Sequence, residues 1–176
     1  MNQFRKMLTH ILNGLAGVSF LAMVILTCWQ VFTRYVLKDP SSWSEELVSY
    51  LFAWMALLGA SLITSERGHM NIPVVVERMP EPAKKAFAVL AELVGFLFSA
   101  VILVYGGVQI TSLAMGQMTS SLGVAIGVFY IVLPLSGVLN MIYTAMNIRD
   151  IWMGSIPPLP VSEEDTLVEN LEKEEA

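Results

Sequence analysis

The chain has 176 residues, a formal net charge of −5, 55% apolar side chains and a single cysteine, Cys28. One cysteine excludes an intrachain disulfide and leaves the redox compartment open. No basic patch points to nucleic acid, so no nucleic-acid partner is expected. The net charge is local: seven acids against Lys173 fall within 163–175, and the rest of the chain holds nine basic and eight acidic side chains. That end follows Pro157, Pro158 and Pro160 and has too little apolar surface to offset the entropy of ordering. Residues 155–176 therefore read as a disordered acidic tail, either a solvated end or a docking peptide, on a membrane domain of 1–154.

No charged residue occurs over 11–33, 47–65 or 93–148. A bilayer core of about 30 Å takes roughly 20 helical residues. The third interval is too long for one crossing and is broken at 109–122 by Ser, Thr, Gln and Gly. None of these stretches alternates as a membrane strand must. The expected fold is an all-α integral membrane protein with four transmembrane helices, over about 11–33, 47–64, 86–108 and 124–146.

Arg5 and Lys6 precede the first apolar run in the manner of a signal peptide, but the run is long and has no convincing small-x-small site. It reads as an uncleaved first helix, with Trp29 and Tyr35 as interfacial anchors and Cys28 in a small buried apolar role. Residues 34–46 form the densest polar segment beside the membrane. Pro40 stops regular structure there, and Ser42 with Glu45 has capping-box spacing for the second span. Ala56 and Ala60, with Gly59 between them, give that span a small face for close helix approach. The next loop carries Glu66-Arg67-Gly68-His69-Met70-Asn71-Ile72, then Pro73, an apolar patch at 74–76, and a helix restart at Pro80-Glu81-Pro82.

Lys84 and Lys85 mark the edge of the third span. The loop at 109–123 is uncharged, and Pro134 predicts a kink near Tyr130 in the fourth. With the N-terminus inside, one side collects Arg5, Lys6, Arg67, Arg78, Lys84, Lys85 and Arg149 and the other only Arg34 and Lys38. That distribution predicts both termini in the cytoplasm.

Catalytic patterns are absent. His10 and His69 lie at membrane edges or in a loop, no Cys-x-x-Cys-His or phosphate-binding loop occurs, and no cofactor, metal or enzymatic activity is expected. Glu92 is the one acid inside a span, about two turns from Lys84 and Lys85. A charge at the bilayer centre costs about 2.5–3.5 kcal/mol, which places Glu92 near the edge or in a pair. It reads as a structural carboxylate, with a subunit contact or an ion relay as the other readings. Arg34 ends one helix and Glu45 and Glu46 begin the next, each complementing its helix dipole. That corner is either a salt-bridged joint or an outward docking surface. His69 beside Gly68 reads as a turn residue, and the small-xxx-small pattern of Gly123 to Gly127 as a packing element.

Arg34-Tyr35-Val36, Trp43-Ser44-Glu45-Glu46-Leu47, Tyr50-Leu51-Phe52-Ala53-Trp54, the Glu66 to Ile72 segment and Ser121-Leu122-Gly123 through Tyr130 to Leu133-Pro134-Leu135-Ser136-Gly137 occur in this order. Together they resemble the small membrane subunit of tripartite ATP-independent periplasmic (TRAP) transporters, a DctQ-like family, over about 5–150. The resemblance implies a bacterial inner-membrane subunit with no substrate site of its own. Its partners are then a large multispan permease subunit, a periplasmic substrate-binding protein and membrane lipids, in sodium-coupled uptake of an organic acid. The identity of that acid resides in the other subunits. A free-standing small carrier and a membrane anchor or assembly subunit of another complex are the alternatives. Arg34, Trp43, Glu45, Glu46, His69, Glu92 and Pro134 are the candidates for structural or partner contacts.

Overall fold

A computed structural model of the chain describes residues 3–67 and 80–154. His69, the 74–76 patch and the acidic tail lie outside the described residues. Helix α1 (Gln3–Phe32) runs into a π-helical turn, Thr33–Leu37, and α2 covers Ser42–Ser65. Helix α3 (Glu81–Phe98), a π-helical stretch (Ser99–Gly106) and α4 (Gly107–Ala114) follow one another without a break. Helix α5 (Ile126–Tyr130) is separated by one residue from α6 (Val132–Trp152).

Four segments are long and apolar enough to cross a membrane: span 1, Arg5–Leu37; span 2, Ser42–Ser65; span 3, Pro82–Ala114; and span 4, Ile126–Trp152. The chain is an all-α four-span membrane protein. Among the described residues the β-structure is one isolated bridge, Met118 to Ala125.

The spans pack as a row. Span 1 lies mainly on span 2, span 2 on α6, and α6 on α3 and the π-helical stretch. Span 4 is accordingly the most buried, with 33% of its most apolar window covered against 11% in each of the others. Its sequence explains this: Ser136, Gly137, Asn140, Tyr143, Thr144 and Asn147 recur at helical spacing and are all buried. The apolar core joins Leu12 of span 1, Leu58 of span 2, and Val132 and Tyr143 of span 4. The Tyr143 and Thr9 hydroxyls, 3.2 Å apart, add a polar tie to span 1.

Three glycines, Gly107, Gly127 and Gly137, set the distance between spans 3 and 4. A Cβ on Gly137 would lie 2.8 Å from the Leu103 Cβ and 3.0 Å from the Val104 backbone nitrogen. A Cβ on Gly107 would lie 3.0 Å from Pro134. Membrane helices gain no hydrophobic driving force from one another, so close contact of this kind has to hold them.

Several details differ from the sequence reading. The third helix continues through Gln109, Thr111 and Ser112 to Ala114; Thr111 is bonded to the Tyr130 carbonyl of span 4, while Gln109 and Ser112 stay exposed. The N-cap of α2 is Ser41, and Ser44 Oγ donates to the Ser41 carbonyl at 2.8 Å. The capping box between Ser42 and Glu45 does not form, since Glu45 turns outward to Arg34. Cys28 is exposed on span 1 instead of buried, because the interior face of that helix runs through Leu12 and Met23.

Gly137→Ala in the isolated chain is expected to wedge spans 3 and 4 apart at a cost of about 1–3 kcal/mol, read as a lower unfolding temperature in detergent. Gly14, where an added Cβ meets nothing within 4 Å, supplies the contrast. Gly14→Ala should raise stability by roughly 0.5–1 kcal/mol.

Candidate functional site

Pro134 has no N–H, so the Tyr130 carbonyl four residues earlier loses its helical donor. The Thr111 hydroxyl of span 3 supplies one at 3.2 Å. The Trp54 indole N–H of span 2 donates to the neighbouring Phe129 carbonyl at 2.9 Å. The Tyr50 ring stacks on Phe129 with centroids 4.0 Å apart. The interruption at Ile131 is thus met by side chains of two other spans.

One polar cluster lies at the end of the molecule where α2 finishes. Arg67, with φ of 62°, turns the chain back at the end of span 2. Its Nε is 3.6 Å from Glu92 Oε1. Asn147 Nδ2 donates to the same Glu92 oxygen and to the Thr64 carbonyl, both at 3.1 Å. All three side chains are buried. Burial pushes the Arg67 guanidinium down from its usual value and the Glu92 carboxylate pushes it back up. An arginine in that position stays charged.

Next to this cluster, Arg5 pairs with Asp150 at 3.7 Å. Lys85 Nζ donates to the Trp152 carbonyl at 3.0 Å and lies 5.5 Å from the centre of its ring. A cation there complements the negative end of α6. The starts of spans 1 and 3 are in this way tied to the end of span 4.

The opposite end carries the charged corner. Arg34 pairs with Glu45, joining the end of span 1 to the start of span 2. Glu46 accepts the Ser121 N–H at 2.9 Å and the Ser120 N–H at 3.2 Å. Those serines sit in a tight turn in which the Thr119 N–H donates to the Val124 carbonyl at 2.8 Å and Gly123 takes a φ of 65°. Trp43 is partly exposed beside the corner.

Of the candidate residues, Arg34, Glu45 and Glu46 stand together, Trp43 flanks them, Glu92 lies at the other end and Pro134 between. Arg67 and Asn147 were not foreseen as partners of Glu92. The spacing of Ser136, Asn140, Thr144 and Asn147 on one face of span 4 was the available signal for a polar seam. Among the described residues no cluster of His, Cys, Asp and Glu is arranged to hold a metal ion.

Residues 23–154 match the family described as tripartite ATP-independent periplasmic transporters, DctQ component. The chain belongs to this DctQ family of TRAP transporter small permease subunits. It is 32% identical, over 57% of its length and 61% of the relative's, to a sialic acid TRAP transporter small permease protein of Vibrio cholerae. A TRAP small permease protein of Haemophilus influenzae is 25% identical over 77% of the chain and 83% of that protein. A sialic acid TRAP transporter permease protein of Haemophilus influenzae is 29% identical over 52% of the chain but only 15% of its own length. The DctQ-type subunit is therefore a transport protein of the bacterial inner membrane, and its homologues are transporter subunits, not enzymes.

In this DctQ-type subunit, Glu92→Ala leaves Arg67 buried without its carboxylate and is expected to cost about 3 kcal/mol of unfolding free energy in mixed micelles. The double variant Arg67→Met, Glu92→Leu should recover most of that loss. Equal losses in the single and double variants would count against the pair.

Proposed function

We propose that this subunit braces a large multispan permease subunit during sodium-coupled uptake of an organic acid delivered by a periplasmic binding protein. The observation that carries this reading is the state of the buried charges. Among the described residues only Arg67 and Glu92 are buried and charged, and they face each other with Asn147 on the carboxylate. An ion-coupled carrier needs ionisable or broken-helix sites open to the transported species near mid-membrane. A carboxylate inside span 3 paired with Arg67 at the end of span 2 is a joint, not a relay.

The Haemophilus permease supports the partner. There a segment like this one makes up a small part of a much longer permease polypeptide, so the two functions are compatible within one chain. The excess of Lys and Arg at the Arg5 and Lys85 end supports both termini in the cytoplasm. On that orientation the Arg34, Glu45 and Glu46 corner and the partly exposed Trp43 face the periplasm, where the binding protein arrives.

Purification of the tagged chain from its native membrane in mild detergent should recover one large multispan permease in near-equal amount. Recovery of the chain alone, together with substrate flux when it is reconstituted by itself in liposomes, would replace this reading with that of a free-standing carrier. Glu45→Lys with Glu46→Lys breaks one ion pair and two backbone contacts, and uptake should fall on the order of tenfold or more. Unchanged uptake with normal subunit recovery would remove the corner from the mechanism.

A further inference from the structure

Helix α6 ends at Trp152, and Gly154, with a φ of 69°, turns the chain off the helix axis. Cations gather around that point. Lys85 Nζ sits on the Trp152 carbonyl at 3.0 Å. The contact of Arg5 with Asp150 brings the start of span 1 to the same end. Lys6 and Arg149, each next in sequence to one member of that pair, are exposed. Arg5 and Asp150 offset one another, as do Arg67 and Glu92. Lys6, Lys85 and Arg149 stand outside these pairs, with Glu66 as an exposed acid at the end of span 2. Trp152 and Met153 add large apolar side chains, both exposed.

The sequence that follows has the complementary character. Residues 163–175 hold seven acids against Lys173, with Leu167, Val168 and Leu171 among them. Eight residues, 155–162, join this stretch to Gly154. Fully extended, eight residues reach roughly 25–30 Å. Packed helices lie about 8–10 Å apart, so the cations around Trp152 are within that reach. A short tether holds its ligand at an effective concentration of about millimolar, and pairing too weak for a free peptide is then populated. Acids held beside a membrane are also repelled by its anionic headgroups, which makes these cations their nearest favourable partners.

We propose that the acidic stretch 163–175 docks on the basic face formed by Lys6, Lys85 and Arg149, with its leucines and valine against Trp152 and Met153. Its carboxylates pair with the three cations, and its apolar side chains cover the exposed indole. The contact lies within one chain, so it stands independently of the reading under Proposed function.

Spin labels at Gln3→Cys and Asn170→Cys, in the whole chain carrying Cys28→Ser, report the distance between the start of span 1 and the acidic stretch. The chain is first placed in nanodiscs of phosphatidylcholine, whose headgroups have no net charge. Docking gives a narrow distance distribution at low salt. In about 1 M NaCl, where charges are screened beyond about 3 Å, that distribution should lengthen and widen. An undocked acidic segment does the reverse, contracting as salt relieves its self-repulsion. Contraction, or no change, would overturn the proposal. Lys6→Glu with Arg149→Glu, both at exposed positions, should keep the unfolding temperature and abolish the narrow distribution. Adding Glu163→Lys, Glu164→Lys and Asp165→Lys should restore it. A distribution unaltered by the reversal of Lys6 and Arg149 would remove the docking face. Exchange of phosphatidylcholine for phosphatidylglycerol should leave the short distance in place. Its loss there would give the cations to lipid headgroups and overturn the assignment.

Discussion

A backbone carbonyl without a donor is hard to tolerate in lipid, and Pro134 creates one at Tyr130. The way it is met fixes how three spans come together. Thr111 reaches it from span 3, and Trp54 takes the adjacent Phe129 carbonyl from span 2. Gly107 lets span 3 sit directly against the proline ring. A helix defect, a hydroxyl, an indole and a glycine thus define one point from which the packing runs in both directions. Toward one end the same antiparallel register brings Leu103 and Val104 to Gly137, and then Glu92 to Asn147. Toward the other it sets Tyr50 on Phe129 and lets Glu46 hold the turn at Ser120 and Ser121.

Polar groups are placed inside this arrangement with evident economy. The buried hydroxyls of Ser61 and Ser136 are satisfied within their own helices, by the Leu57 and Leu133 carbonyls. That leaves the longer side chains for contacts between spans. Asn147 uses one amide group on two spans at once, and Tyr143 serves both the apolar core and the tie to Thr9. Among the described residues the charges other than the buried Arg67 and Glu92 pair sit at the two ends, where water can help to solvate them. They join elements distant in sequence: Arg5 to Asp150 at one end and Arg34 to Glu45 at the other.

The span count was legible because charge-free length is a direct physical requirement of the bilayer. The charged corner was half legible. Opposite charges at facing helix ends announce Arg34 with Glu45, but nothing local says that Glu46 reaches a turn more than seventy residues away. The π-helical stretches at Thr33–Leu37 and Ser99–Gly106 were invisible, since a wider turn has no distinctive residue preference and is decided by what the helix packs against. The helix of span 3 runs on to Ala114, past the expected loop start, for a related reason. Gln109, Thr111 and Ser112 resemble loop residues until the carbonyl that Thr111 serves is known. Glu92 was recognised as needing a partner, yet Arg67 and Asn147 could be paired with it only once spans 2, 3 and 4 were side by side.

The row-like packing has a thermodynamic consequence. With only span 4 substantially covered, few contacts hold the four helices, and most of them pass through α6. Such a chain has little stability to lose. A partner that binds the folded form and not the unfolded one adds to it by mass action, in proportion to the logarithm of its concentration over the dissociation constant. On the proposed reading the permease and the small subunit are therefore coupled in stability as well as in place. The span most engaged internally is the fourth. The first three spans are covered alike and sparsely, and Gly14, Gly17 and Gly59 of the first two serve no contact inside the chain. A membrane protein that keeps its close-packing residues on an open face has not finished packing by itself.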